Sequence, residues 1–348
     1  MSLLITIKKL RAIGLPFIIS FCAVVTLFSC SENGERQKKH KASEPASIAG
    51  SEADSFLAGM PEKLQDRQTA AIRMAMSGQS DSLIKVRNTR NTVTELPSDI
   101  RRTDLGNGMA LFRSKRLDND TIPLLVYFHG GGWVIGSINS CSAYCCAIAA
   151  KGISVLAVDY RLAPEHPFPE GLTDCIAAVR FAQSNLKKWK CDGITVGGDS
   201  SGGNLAIVTA LSFPSDTFRS LVVFYPVTKA YADNSESWKK YGKGFGLDSE
   251  LMETFNAAYT SAPHHPLVSP AEAPDTTLSK LPPTLLVAAD RDILRDQGHD
   301  FAKHLSRIGV KCKYLLIPCS VHLFITVPGQ PYAFGRAVKE SAEFILSR

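Results

Sequence analysis

Ser200 stands in Gly198-Asp199-Ser200-Ser201-Gly202, between a stretch that reads as a strand, GITVGGD, and one that reads as a helix, SGGNLAIVTALSF. A serine flanked two residues away on each side by glycine, at a strand-to-helix junction, fits a strained turn that pushes the hydroxyl outward. A side chain at either flank would collide with the turn itself. The helix that begins there points its free N–H groups at any negative charge that develops nearby. A second glycine-rich stretch, His129-Gly130-Gly131-Gly132-Trp133, follows the apolar run TIPLLVYF. Backbone N–H groups of Gly130 and Gly131, joined by that of Ser201, would receive an oxyanion, and glycine keeps any Cβ out of the way. The two stretches together imply acyl transfer through a serine nucleophile.

Such a serine needs a base, and the base needs a carboxylate to orient it. The chain order expected with a strand–serine–helix turn is serine, then acid, then histidine. Asp290, Asp292 and Asp296 cluster after the apolar run TLLVAAD, and His322 follows KYLLIP in CSVHLF. Asp296 reads as the N-cap of the helix that follows. Of the eight histidines, His322 has both the required order and a position at a strand end. His264 and His265 fall in a polar excursion, His299 and His304 on a surface helix. His129 reads as a brace for the glycine loop, Gly132 as the residue that permits its turn, and Trp133 as packing beneath it.

The elements that must position these residues alternate. Apolar strands at TIPLLVYF, ISVLAVDY, GITVGGD, SLVVFYPV, PPTLLVAAD and VKCKYLLIP are separated by helical stretches, and IRRTDL with MALFRSKRL forms a hairpin turned by GNG. Continuous apolar strands between helices imply an α/β domain with a mostly parallel sheet of about eight strands, covered on both faces. Reactive groups in such a sheet gather at the carboxyl ends of the strands. We expect the catalytic domain to span 98–348 with a cap insertion at about 228–265, in which Asp248 caps a helix running to Tyr259. Phe56, Met60 and Leu64 recur on one helical face, which places further cap helices in 52–97.

The first 30 residues have the pattern of an export signal: Lys8, Lys9 and Arg11, an uncharged run Ala12 to Phe28, and Leu27-Phe28-Ser29-Cys30 at the end. That ending is similar to a lipoprotein signal, in which Cys30 receives lipid and tethers the protein to a membrane; plain secretion and a retained anchor are the other readings. Residues 31–51, rich in Ser, Lys, Glu and Gly, read as a solvated tether. The seven cysteines after Cys30 show no metal-ligand spacing and read chiefly as core packing. Net charge is +6 and the basic residues are dispersed, so nucleic acid is not an expected partner.

These motifs jointly resemble the hormone-sensitive lipase branch of the α/β-hydrolase family of carboxylesterases. HGGGW matches that family's oxyanion motif, with Gly130 and Gly131 on its donor positions. GDSSGGN matches its nucleophile motif, with Ser201 in place of the usual alanine. DYRLAPEHPFP, Asp159 to Pro169, matches a further signature of structural role. DILRDQG is similar to the family's acid motif, with Ile293 in place of proline. That places the acid on Asp292 and leaves Asp290 in reserve. VHLF falls where the family has H-G-F, with Leu323 in place of glycine. The resemblance covers roughly Asp99 to the C-terminus. It implies a serine carboxylic-ester hydrolase that needs no metal or organic cofactor and acts on short- to medium-chain or acetylated small-molecule esters. An amide or formamide hydrolase on the same triad, and a non-catalytic small-molecule receptor on the same fold, are the alternatives.

Overall fold

A computed structural model of the chain describes residues 44–348. The expected signal, Cys30 and most of the expected tether lie outside the described residues. The last part of that tether is corrected: Glu44–Ala58 is a helix, α1. It is rich in small residues, and Ala49 and Ala53 are buried. Tertiary contacts hold it in place. Glu52 accepts the Tyr332 N–H at 2.8 Å, and Asp54 pairs with Arg291 at 2.6 Å. Two more helices follow, α2 (Leu64–Met76) and α3 (Asp81–Arg90).

The body then alternates as expected: β1 (Ile100–Gly106), β2 (Met109–Ser114), β3 (Ile122–Phe128), α4 (Ile138–Ala150), β4 (Ser154–Val158), α5 (Glu170–Asn185), β5 (Cys191–Asp199), α6 (Ser201–Leu211) and β6 (Ser220–Phe224). It continues with α7 (Glu236–Tyr241), α8 (Ser249–Tyr259), α9 (Asp275–Leu278), β7 (Thr284–Arg291), α10 (Arg295–Arg307), β8 (Cys312–Val321) and α11 (Pro331–Leu346). The eight strands form one sheet in the order β1-β2-β4-β3-β5-β6-β7-β8. Pairings are parallel from β4 across to β8, and antiparallel for β1 with β2 and β2 with β4.

Strand β3 shows why the sheet is buried on both sides. Leu124, Val126 and Phe128 enter one core with Val179 and Val208, whereas Leu125 and Tyr127 enter the other with Tyr144 and Ala337. Successive side chains of a strand face opposite ways, so an unbroken apolar run serves two helix layers at once. The cysteines follow the same rule: Cys141, Cys145, Cys146, Cys175 and Cys191 are free and buried. Burial pushes the Cys146 thiol up to about 11, as expected for packing rather than reactivity.

Helices α7 and α8 fall within the expected cap insertion, and α2 docks on α8. Gln65 Oε1 accepts the Asp248 N–H at 2.7 Å, and Arg73 pairs with Glu250 at 3.0 Å. Asp248 holds the N-cap position of α8, but its side chain turns back to accept from the Gly244 N–H at 2.7 Å. Helix α3 is anchored through Arg87, which donates to the carbonyls of Val134 and Ala163 and pairs in a fork with Glu165. Among the described residues no helix is long and apolar enough to cross a membrane.

Candidate active site

Ser200 sits between β5 and α6 with φ 54 and ψ −119, a backbone conformation that costs an L-residue of order 1–3 kcal/mol. The flanking glycines make it possible. A Cβ on Gly198 would come under 3 Å from the backbone of Gly202 and Phe128, and a Cβ on Gly202 would meet the carbonyls of Phe128 and His129. The hydroxyl thereby reaches the carboxyl end of the sheet, where β7 and β8 also deliver residues.

His322 follows the end of β8. Its Nε2 lies 3.1 Å from Ser200 Oγ, and its Nδ1 lies 2.6 Å from Asp292 Oδ2. The three side chains are buried. The other oxygen of Asp292 accepts the Leu294 N–H at 2.9 Å, which fixes the carboxylate plane. Asp290 points elsewhere: its Oδ2 accepts the Cys319 N–H at 3.0 Å and it faces Arg295. Asp296 is not the cap of α10. That position belongs to Leu294, and Asp296 instead accepts the Ser237 N–H at 2.8 Å and pairs with Arg295, so it ties the cap to α10. Leu323, where the family has glycine, adopts φ 74 and lines the cavity, yet the imidazole keeps both partners.

Residues that the sequence reading did not single out hold His322. Gln330 accepts the Val321 N–H at 2.9 Å and donates to the carbonyls of Val321 and His322 at 3.2 Å. The Tyr225 ring lies tilted against the imidazole with centroids 4.3 Å apart, and its hydroxyl accepts the Ile325 N–H at 3.1 Å. No sequence signal points to either residue, because each acts across more than one element.

The expectation for the glycine loop needs a correction. The Gly130 N–H is not open to a substrate: it donates to Asp199 Oδ1 at 3.0 Å, the oxygen that also accepts from the Tyr127 hydroxyl at 2.9 Å. Asp199 is fully buried, and burial raises its carboxyl above the usual carboxylate range against the pull of these donors. Gly131 and Gly132 line the cavity with Ser200 and His322, whereas Gly130 does not. Gly131 and Gly132, rather than Gly130, are thus the loop glycines at the cavity, and Ser201 opens α6, where a first-turn N–H has no intrahelical acceptor. Gly131 has φ 121 and Gly132 φ 62, so both need glycine for their backbone as well as for access.

The loop is clamped from both sides. The Tyr160 hydroxyl donates to the His129 carbonyl at 2.7 Å, and the two rings stack at 4.4 Å. Ala163 N–H donates to the Trp133 carbonyl at 2.9 Å. Trp133 is buried and stacks on Tyr259 of α8 at 4.3 Å, while Phe255 of α8 lies directly over Gly132. Trp133 thus packs the loop against the cap. The cavity over Ser200 has about 530 Å³ of free space counted out to its mouth. Its walls are mainly apolar, with Leu64, Ile135, Leu251, Met252, Phe255 and Leu323 prominent.

A family model described as the alpha/beta hydrolase fold matches residues 125–326, more than half of the chain. The chain is 35% identical over 236 residues to a carboxylesterase of Mycobacterium tuberculosis, covering 63% of this chain and 73% of that protein. It is 35% identical over 223 residues to an arylesterase of Saccharolobus solfataricus, covering 62% and 71%. Among solved structures, carboxyl esterase 2 of the mycorrhizal fungus Tuber melanosporum superposes with a TM-score of 0.68 at 26% identity, over 74% of this chain and 89% of that one.

Proposed function

The chain belongs to the α/β-hydrolase family, and from that membership we propose a serine carboxylic-ester hydrolase whose reaction runs through Ser200. Ser200 Oγ attacks the acyl carbon and His322 Nε2 takes its proton. Asp292 keeps the other proton on Nδ1 and so holds the reactive tautomer. The N–H groups of Gly131, Gly132 and Ser201 receive the oxyanion. His322 returns the proton to the departing alcohol, then activates water to release the acid from the acyl-enzyme. The observation that carries this reading is the unbroken line of contacts from Ser200 through His322 to Asp292 at 3.1 and 2.6 Å. The carboxylesterase and arylesterase names of the relatives support the same bond class. The apolar lining around Ser200 supports an acyl group of hydrocarbon character, which short- to medium-chain esters supply.

The test is Ser200→Ala. It should lower kcat on 4-nitrophenyl acetate by about 10⁴-fold or more and abolish labelling by a fluorophosphonate, since triad members act as a unit. An unchanged rate rejects the assignment. We also propose export, with lipid on Cys30 as the membrane tether; the motif around Leu27 to Cys30 supports it. Mass analysis of the mature N-terminus should find an acylated cysteine, and an intact Met1 would reject cleavage.

A further inference from the structure

One cation in the cavity has no carboxylate partner among the described residues. Arg90, the last residue of α3, lines the same cavity as Ser200 and His322. Its Nε is buried and has no hydrogen-bond acceptor among the described residues. Thr326 Oγ1 receives one arm of the guanidinium at 3.5 Å, and no described carboxylate pairs with it. Burial pulls this arginine below its ordinary range, and Asp199 and Tyr225 oppose that only through space.

Other arginines in this fold show that the vacancy of partners is specific. Arg87, one helical turn earlier, has two carbonyls and a carboxylate fork. Arg113, buried beneath the hairpin, donates to the carbonyls of Leu117, Asp120 and Trp189 and to Ser154. Arg90 is half-buried with its Nε enclosed; a guanidinium held this way with no counter-charge is costly, and sites that keep such groups are disproportionately functional. The remaining lining residues carry no charge except through His322. Gln68 joins Arg90 in the lining; it is buried, and its amide makes no hydrogen bond to a described residue.

We infer that Arg90 recognises a carboxylate on the substrate, so that the ester cleaved at Ser200 belongs to an acid-bearing class such as the half-esters of dicarboxylic acids. This rests on the ester-hydrolase reading and narrows it. The fork of guanidinium N–H groups matches a planar carboxylate, and the apolar walls strengthen that pairing while penalising an anion that misses it. The carboxylate can lie on the acyl or on the alcohol part, and the two are separable.

The experiment compares kcat/KM within two pairs of equal shape: monoethyl succinate against ethyl 4-methylpentanoate for the acyl part, and 4-acetoxybenzoate against 4-isopropylphenyl acetate for the alcohol part. The wild type should favour the anionic member of one pair by about 10- to 100-fold, the range of a charge-assisted hydrogen bond. Arg90→Gln should bring that ratio to about one or below, mainly through KM, and Arg90→Lys should restore part of it. Fluorophosphonate labelling of Ser200 in both variants checks that the triad is assembled. A wild type with no anionic preference in either pair overturns the inference, and so does a preference that survives Arg90→Gln. If none of the four esters is cleaved, the ester-hydrolase reading itself falls.

Discussion

Asp292→Asn against Asp290→Asn separates the two carboxylates that the sequence left in competition. Asp292 accepts from both sides: His322 Nδ1 at 2.6 Å and the Leu294 N–H at 2.9 Å. Asparagine has one oxygen for these two donors. If the oxygen keeps Leu294, the amide NH₂ faces Nδ1, which must then be the unprotonated nitrogen. The imidazole proton moves to Nε2, and His322 can no longer take the Ser200 proton. If the oxygen keeps His322, two N–H groups are forced together at Leu294. The first arrangement relieves the clash, so the wrong tautomer wins, and a drop in kcat of about 10⁴-fold is expected, about 5.5 kcal/mol of barrier. Asp290→Asn keeps an acceptor for Cys319 and loses only a partly exposed pairing with Arg295 at 3.6 Å. Such a pair contributes about 0–1 kcal/mol to stability and nothing to the tautomer. Its rate on 4-nitrophenyl acetate at pH 7 should stay within about threefold of wild type. Thermal unfolding followed by circular dichroism would confirm that both variants fold. Equal losses in the two variants, or more than about a tenth of wild-type kcat in Asp292→Asn, would refute the reasoning.

Three further outcomes follow from single contacts. Gly202→Ala forces a Cβ against the carbonyls of Phe128 and His129, neither of which can swing aside, so stability should fall by at least about 3 kcal/mol in denaturant titration. Leu323→Gly relieves a backbone at φ 74 and opens the cavity wall; stability should change by less than about 1 kcal/mol, since strain relief offsets the added chain entropy. In the same variant the hexanoate-to-acetate ratio of kcat/KM should rise about tenfold, and an unchanged ratio would mean that Leu323 does not limit the acyl group. Asp199 holds its proton more tightly folded than unfolded, because burial raises its carboxyl. Its contribution to stability is therefore greatest below the ordinary carboxylate range and declines as pH rises through the raised folded value. Asp199→Asn should remove that decline, so urea titrations above pH 4 should give a flatter or rising curve relative to wild type.

The chemistry of the site was legible where covalent order decides it. Ser200 and His322 follow from motif and strand-end position, and their side chains do meet. What the sequence could not specify was the destination of each hydrogen bond. Asp290 and Asp292 sit two residues apart on the end of β7, and only the path of the β8 loop decides which one meets His322. Asp296 has the composition of a cap, but Ser237 of the insertion claims it. The tether expected over 31–51 overlaps the first half of α1 because that stretch is small and weakly periodic; two buried alanines and two long-range side-chain bonds hold the helix. Arg90 had no signal at all, since an arginine without a carboxylate among the described residues is visible only when its neighbours are known.

The glycines carry a sharper lesson. The sequence assigns Gly130 and Gly131 to the substrate as oxyanion donors, Gly132 to the turn of the loop, and Gly198 and Gly202 to the room that the nucleophile turn needs. Of these, Gly131 and Gly132 line the cavity, so Gly132 stands where Gly130 was expected. Gly130, Gly198 and Gly202 answer a different demand. Strands β3 and β5 are parallel neighbours, with Phe128 opposite Gly198, so the loop after β3 and the turn after β5 leave the sheet side by side. A Cβ on Gly130 would strike Asp199, and one on Gly198 or Gly202 would strike the β3 end. The two motifs are pressed together at distances that exclude side chains, and Asp199 bonds across the contact to the Gly130 N–H. The donor lost to substrate at Gly130 is thus what holds the loop in register with the nucleophile. The nucleophile turn and the loop proposed to supply the oxyanion donors are held against each other through backbone, which is what preorganised stabilisation of a developing charge requires. Loosening any of these three glycines should therefore cost activity through geometry at Ser200 before it costs any contact with substrate.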